Sequence, residues 1–196
     1  MNNFDSRMDP QERPTPLSKP RFAGLWHRFA ANILDNCLFI PIILISHYNL
    51  FNLKWLLVEL LLSGLWIVYK PYMEYRYGAT LGKMVLKIKV VNTQYNAIDS
   101  DQAVRRFLVF LFGYMGVWLV NYWLFTHPEF MEVVDYESLG KLQKRLNAEF
   151  IINVANIPLF VSVIAMMFDP QKQALHDQFA GTYCIYKSSE EKDAFI

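Results

Sequence analysis

Four stretches of the chain are nearly free of charge. Segments 29–53, 55–69, 107–128 and 150–168 hold two ionisable carboxylates, Asp35 and Glu59, and no lysine or arginine. A soluble helix keeps one face in water, so its charges recur along its length. Gaps this long read as segments that meet lipid, where about 20 mostly apolar residues cross the hydrocarbon. The pattern predicts membrane helices over 29–47, 53–72, 107–126 and 150–168. Pro41 and Pro158 fall inside the first and fourth, where neighbouring helices make a kink tolerable. Trp55, Trp66, Tyr69, Tyr72, Tyr122 and Trp123 lie close to predicted ends, as rings of an interfacial belt do. The expected fold is an all-α membrane protein: a four-helix transmembrane bundle with one small β element.

That β element comes from a change of period. Met84 to Val91 (MVLKIKVV) is rich in branched residues, and its lysines alternate with apolar positions. Gly181 to Lys187 (GTYCIYK) is similar. The two either pair as a small cytoplasmic ribbon, held weakly if by two strands alone, or remain separate extended loops. If they pair, segments 84–91 and 182–186 are the strands.

Composition adds limits. The chain has 196 residues, 54% of them hydrophobic, and a net charge of +1. Bulk charge gives no case for a polyanion, so the lipid bilayer, and no nucleic acid, is the expected partner. Residues 1–20 carry Pro10, Pro14, Pro16 and Pro20 among polar residues and read as a disordered cytoplasmic tail. Residues 21–187 form the membrane domain, and 188–196 a C-terminal tail. No second soluble domain of ordinary size fits. The first apolar run begins far from Met1, contains Asp35 and lacks a small-residue cleavage pattern, unlike a signal peptide. Cys37 and Cys184 fall in different kinds of segment and read as two lone thiols of a reducing compartment. No Cys/His spacing looks like a metal site and no nucleophile–base pair appears, so neither a cofactor nor an enzyme is expected.

Charge also sets orientation. The N-terminal stretch through Arg28, residues 70–106 and the stretch after residue 168 hold 15 lysines and arginines, against 4 in the two remaining loops. The positive-inside rule places both termini and the 70–106 loop in the cytoplasm, in a cytoplasmic (inner) membrane. Loop 129–149 carries five acids, which suits the far side. Leu139, Leu142 and Leu146 nevertheless repeat there at helical spacing beside Lys141, Lys144 and Arg145, like an interfacial helix on anionic lipid.

Candidate chemistry is sparse. Gly78 to Lys83 (GATLGK) fails as a phosphate loop: its glycines are one residue too close, and Met84 stands where a hydroxyl would hold magnesium. It reads as a tight turn. Arg28, Asn32, Asp35 and Asn36 share one face of the first helix. Asp35 lies about 10 Å deeper than Arg28, where a charge costs roughly 2.5–3.5 kcal/mol on the insertion scale. The set is a proton or cation site, or a polar staple that fixes packing. Glu59, with Ser63 one turn on, is a second intramembrane acid: a further station of an ion path, or a headgroup carboxylate near Lys54. Asn121, Asn153 and Asn156 read as amides bonding across helices. His27, His47, His127 and His176 receive no role, and Gly113 and Gly116, three apart, are not a GxxxG dimer face.

These residues resemble the RDD family of small membrane proteins over roughly residues 21 to 187. RFAGLWHRFAANILD (Arg21 to Asp35) is similar to the family's opening helix, and Gly78 to Val91 to its Gly-Thr-Gly-Lys loop. AVRRFL (Ala103 to Leu108) resembles the arginine start of the next helix, and Asp169 to Tyr186 the closing segment. The resemblance implies that Arg28, Asp35 and Asp177 are the name-giving arginine and two aspartates, with Asp169 close by as a rival to Asp177. Topology brings Asp177 to the side of Arg28, so Arg28 is held by Asp177, by Asp35, or between them; the two turns to Asp35, beyond the usual i,i+4 reach, favour Asp177. Leu81 stands where relatives often carry proline, and Glu59 is outside the family pattern. The family has no settled activity; cation/proton exchange is suggested for some members, and others look like accessory membrane proteins. Two functions are therefore carried forward. One is a secondary transporter exchanging monovalent cations for protons, acting as a homo-oligomer because one copy offers few helices. The other is a non-catalytic membrane scaffold or assembly factor.

Overall fold

The computed structural model describes residues 20–187; both ends of the chain, including nearly all of the proline-bearing tail and the segment after Lys187, lie outside them. Three helices are long and apolar enough to cross a membrane: α3 (Leu56–Tyr77), α5 (Ser100–Thr126) and α7 (Ala148–Phe168). A fourth crossing exists if α1 (Leu25–Leu38) and the Ile40–Leu53 helix after it count as one span. That helix comprises α2 (Ile40–Tyr48) and a π-helical turn, Asn49–Leu53. The chain is an integral membrane protein by the length and apolar character of these helices.

The first apolar run is bent, by 53°, at Phe39. Pro41 enters the second position of α2 and brings no N–H to the helical ladder, so the break falls just ahead of it. Phe39 fills the corner, stacked on Trp66 with ring centroids 4.1 Å apart and edge-on to Tyr69 at 4.9 Å. Pro158 stays inside α7.

The other helices extend beyond the apolar runs that announced them. α5 starts at Ser100, seven residues before the expected 107, because Asp99 and Gln102 make a capping box. Asp99 accepts from the Gln102 N–H at 2.7 Å, and the Gln102 side chain accepts from the Asp99 N–H at 3.3 Å. The Arg105–Arg106 pair is therefore carried inside the helix. α3 runs on to Tyr77 and stops at Gly78, whose φ of +70° closes the helix in the left-handed region.

α5 and α7 pack closely because small residues face each other. A Cβ added at Gly116 would stand 2.4 Å from the Ala155 Cβ, and one at Gly113 would stand 2.9 Å from the Asn156 Oδ1. The two glycines serve an intramolecular crossing.

Met84–Val91 divides: Met84 and Val85 finish a short helix, α4 (Leu81–Val85), and the strand β1 is Ile88–Asn92. It pairs antiparallel with β2 (Thr182–Tyr186), with Ile88 opposite Tyr186 and Asn92 opposite Thr182. The ribbon is not left to two strands. Phe22 bridges Ile185 on its other edge, Ala23 N–H donates to the Cys184 carbonyl at 2.8 Å, and Tyr186 N–H to that of Arg21 at 2.9 Å. Ala23, Ile88, Val90, Ile98, Ala103 and Cys184 form a core beneath it.

At the opposite end, the Leu139 repeat is a helix, α6 (Tyr136–Arg145). Its apolar face is occupied by protein: Leu139 and Leu142 are buried with Leu124, Phe130 and Val133. The leucines that read as a lipid-facing stripe close the end of the helix assembly.

Candidate functional site

Arg28 points to the C-terminal part of the domain. Its Nη1 donates to Asp177 Oδ2, its Nη2 to the Lys172 carbonyl at 2.6 Å, and its Nε to the Ala23 carbonyl at 2.9 Å. Asp177 lies on α8 (Leu175–Ala180). Its Oδ2 also accepts the Ala174 N–H at 3.0 Å, and its Oδ1 accepts from Arg106 Nη1. Asp169, the rival position, instead closes the preceding turn by accepting the Gln173 N–H at 2.7 Å.

Arg106 is the hub. It is 1% exposed, donates through Nε to Glu74 Oε2 at 2.9 Å, and reaches Asp177 and the Thr182 hydroxyl through Nη1. Glu74, equally buried, also receives the Lys83 ammonium. A continuous run, Arg28–Asp177–Arg106–Glu74–Lys83, thus ties α1, α8, α5, α3 and α4 together. Burial would push the Asp177 carboxyl up, but the adjoining Arg106 and Arg28 outweigh it and hold it well below the ordinary carboxylate range. Buried pairs of this kind repay desolvation only with good geometry and further hydrogen bonds, which Thr182, the Ala174 N–H and the Ala23 and Lys172 carbonyls supply here.

Asp35 is outside that run. Its Oδ1 accepts the Tyr69 hydroxyl at 2.8 Å and the Gly82 N–H at 2.7 Å. Tyr69 in turn accepts the Leu81 N–H at 3.0 Å. Two orphan amides at the start of α4 are satisfied this way, and the Gly78–Lys83 loop is docked on α1. The acid that shares a helix face with Arg28 is therefore not its partner.

Glu59 forms a separate cluster towards the other end. It accepts from the Ser46 hydroxyl at 2.8 and 3.0 Å and from Asn49 Nδ2 at 3.4 Å. Lys54 does not turn to it, because its ammonium donates to the carbonyls of Phe130, Met131 and Val133. Ser63 donates to the Glu59 main-chain carbonyl at 2.8 Å and accepts from Trp118 Nε1 at 2.9 Å. The expected amide bonds across helices are absent among the described residues: Asn156 donates back to Ile152 in its own helix, and Asn121 and Asn153 make none.

A cavity of about 650 Å³ lies between α1, α3, α5, α7 and α8, within the size range of small-molecule sites. Its polar lining comprises Arg28, Asn32, Asp35, Asn36, Tyr69 and Lys70, with Thr80, Lys83, Asn156 and His176 beyond. His176 is neutral there: burial outweighs neighbouring Asp177 and pushes its pKa down to about 3. Its Nδ1 meets the Ser162 hydroxyl at 2.8 Å.

The structure brings Arg28 and Asp177 together, sets Asp35 on the cavity wall, and leaves Glu59 apart. Glu74 and Lys70 have no place in the sequence reading, His176 has no role there, and Arg106 enters only through the resemblance of AVRRFL. The Arg105–Arg106 doublet behind a capping box was the available signal for Arg106. Among the described residues no group of three or more histidines, cysteines or acids stands where a metal would be held. No curated protein and no solved structure matches the chain. The family model described as the RDD family matches residues 22–181, and the chain belongs to that family.

Proposed function

We propose that the protein is a secondary transporter that exchanges a monovalent cation for protons, with Asp35 as the coupling carboxylate. One observation carries the reading. Asp35 spends both its hydrogen bonds on Oδ1 and lines the cavity, while Asp177 and Glu74 are locked between cations. A carboxylate with an oxygen uncommitted to the protein can exchange a proton for a cation; one held by two cations cannot. Asn32, about one turn before it, and Asn36, the next residue, line the same cavity and offer amide oxygens to a cation. The basic residues support an orientation with the ribbon and both termini in the cytoplasm. So few helices favour a homo-oligomer as the working unit.

The test is reconstitution in liposomes with a pH-sensitive dye and a panel of monovalent cations. Cation-driven proton flux that disappears in Asp35→Asn, with the variant still folded, supports the reading. Unchanged flux in a folded variant ends it. A second reading, a membrane scaffold, draws on the Asp35–Gly82 clamp, which gives Asp35 a packing role without transport. Loss of the folded protein in Asp35→Asn favours that reading.

A further inference from the structure

One cation at the cavity has no ion-pair partner of its own among the described residues. Lys70 makes no ion pair or hydrogen bond among the described residues; its ammonium stands over the Phe110 ring, 3.2 Å from the centroid. Glu74, one turn on, is committed to Lys83 and Arg106. Around the cavity and the charge run stand Arg28, Lys70, Lys83 and Arg106 against Asp35, Glu74 and Asp177. With every group ionised, one positive charge is left over, and protonating Asp35 would leave two. A cation–ring contact replaces only part of the hydration an ammonium loses.

A second group on the same wall is also unpartnered. Thr80 is 2% exposed, and its hydroxyl oxygen has no hydrogen-bond partner. A buried hydroxyl in that state costs about 1–3 kcal/mol unless something else satisfies it. The remaining wall is largely apolar and includes Leu159, Phe160 and Val163. Phe29 on α1 and Phe160 on α7 line the cavity yet are 54% and 63% exposed. The cavity therefore reaches the outer surface of the helices, the surface that meets lipid.

From the surplus charge, the orphan hydroxyl and the apolar lateral mouth, we propose that the cavity seats an anionic membrane phospholipid. Its phosphate is held by Lys70 Nζ and Thr80 Oγ1, and one acyl chain lies along Leu159, Phe160 and Val163. Lys70 sits one turn, about 6 Å, from Glu74 at the ribbon end of α3, a depth that suits a headgroup phosphate. A soluble anion would gain nothing from the apolar wall.

Nanodiscs of phosphatidylcholine containing phosphatidylglycerol, followed by native mass spectrometry, test the proposal without any flux assay. The expected result is one phosphatidylglycerol retained per chain in preference to phosphatidylcholine. Lys70→Gln is expected to reduce that preference at least tenfold, and Thr80→Val by a smaller factor. Equal retention of the two lipids, displacement of the lipid by inorganic phosphate, or undiminished preference in Lys70→Gln overturns it. A measurement on the unaltered protein guards against a variant that fails to fold. Phosphatidylglycerol with a photoreactive acyl chain should label the peptide containing Leu159–Val163; labelling confined to outward positions such as Phe168, 82% exposed, overturns it too.

Discussion

Asp35 and Gly82 are joined across 47 positions by a hydrogen bond of 2.7 Å from the Gly82 N–H to the Asp35 carboxylate. The approach is possible only because residue 82 has no side chain. A Cβ there would stand 2.0 Å from the Ala31 carbonyl oxygen, which is main chain of α1 and cannot swing aside. Gly82→Ala is therefore expected to lift α4 off α1 and destabilise the domain by about 1–3 kcal/mol. Thermal unfolding in detergent micelles measures it; an unchanged midpoint would contradict the packing argument.

Removing one member of the buried charge run should cost far more than a surface pair would. Arg106→Leu leaves Glu74 and Asp177 short of their common cation, and breaking a buried pair costs about 3–5 kcal/mol. Arg106→Lys is expected to rescue only part of this, because an ammonium cannot present Nε and Nη1 in fixed directions to two carboxylates. By contrast, Lys141→Ala, which removes an exposed pair with Glu137, should change stability by under about 1 kcal/mol.

Acidification should weaken the domain through His176. In the unfolded chain His176 takes a proton below about pH 6.5, whereas in the folded protein its pKa is about 3. The unfolded state thus binds more protons between those values. Stability falls as pH drops through that window, by up to about 1.4 kcal/mol per unit. Asp177, lowered, keeps its contribution above the ordinary carboxylate range and loses it below. Denaturation followed against pH should show the slope starting near 6.5, and His176→Gln should remove its upper part.

The α5–α7 crossing offers a reciprocal test. Gly116→Ala places a methyl against that of Ala155, 2.4 Å away, and should destabilise by about 1–3 kcal/mol. Ala155→Gly in the same chain should restore much of the loss. A double-mutant cycle with no coupling would mean the helices do not meet there.

The sequence pattern was most legible where solvent preference alone decides. Long uncharged runs located the helices through lipid, and alternation in the Met84 region located a strand, although Met84 and Val85 went to a helix capped by a distant carboxylate. The bend at Phe39 exceeds what a kink at Pro41 announces, because the corner is stabilised by Trp66 and Tyr69 from another helix. The charge run was the least legible part. Helix-face arithmetic sets Arg28 and Asp35 two turns apart, beyond the reach of one turn, and so favours Asp177, which does take Arg28 from 149 positions away; what it gives no hint of is the rest of the run. Nothing local marks Glu74 as buried, and the capping box that carries Arg106 inside its helix does not say which of the arginine pair turns inward; each looks like an ordinary charge at the edge of an apolar run until the ribbon and α8 fold over it.

The edge-to-edge seam of Phe22, β2 and β1 imposes an order on assembly. The middle strand is the last described segment of the chain to be synthesised, and the acid that pairs both Arg28 and Arg106 precedes it by a few residues. Until those residues emerge, α1, α3 and α5 are already made, with two arginines and Glu74 lacking their final arrangement. A chain stopped before Asp177 would leave Arg28 and Arg106 without their shared carboxylate. The C-terminal strand and the helix before it thus close the ribbon and the charge run together.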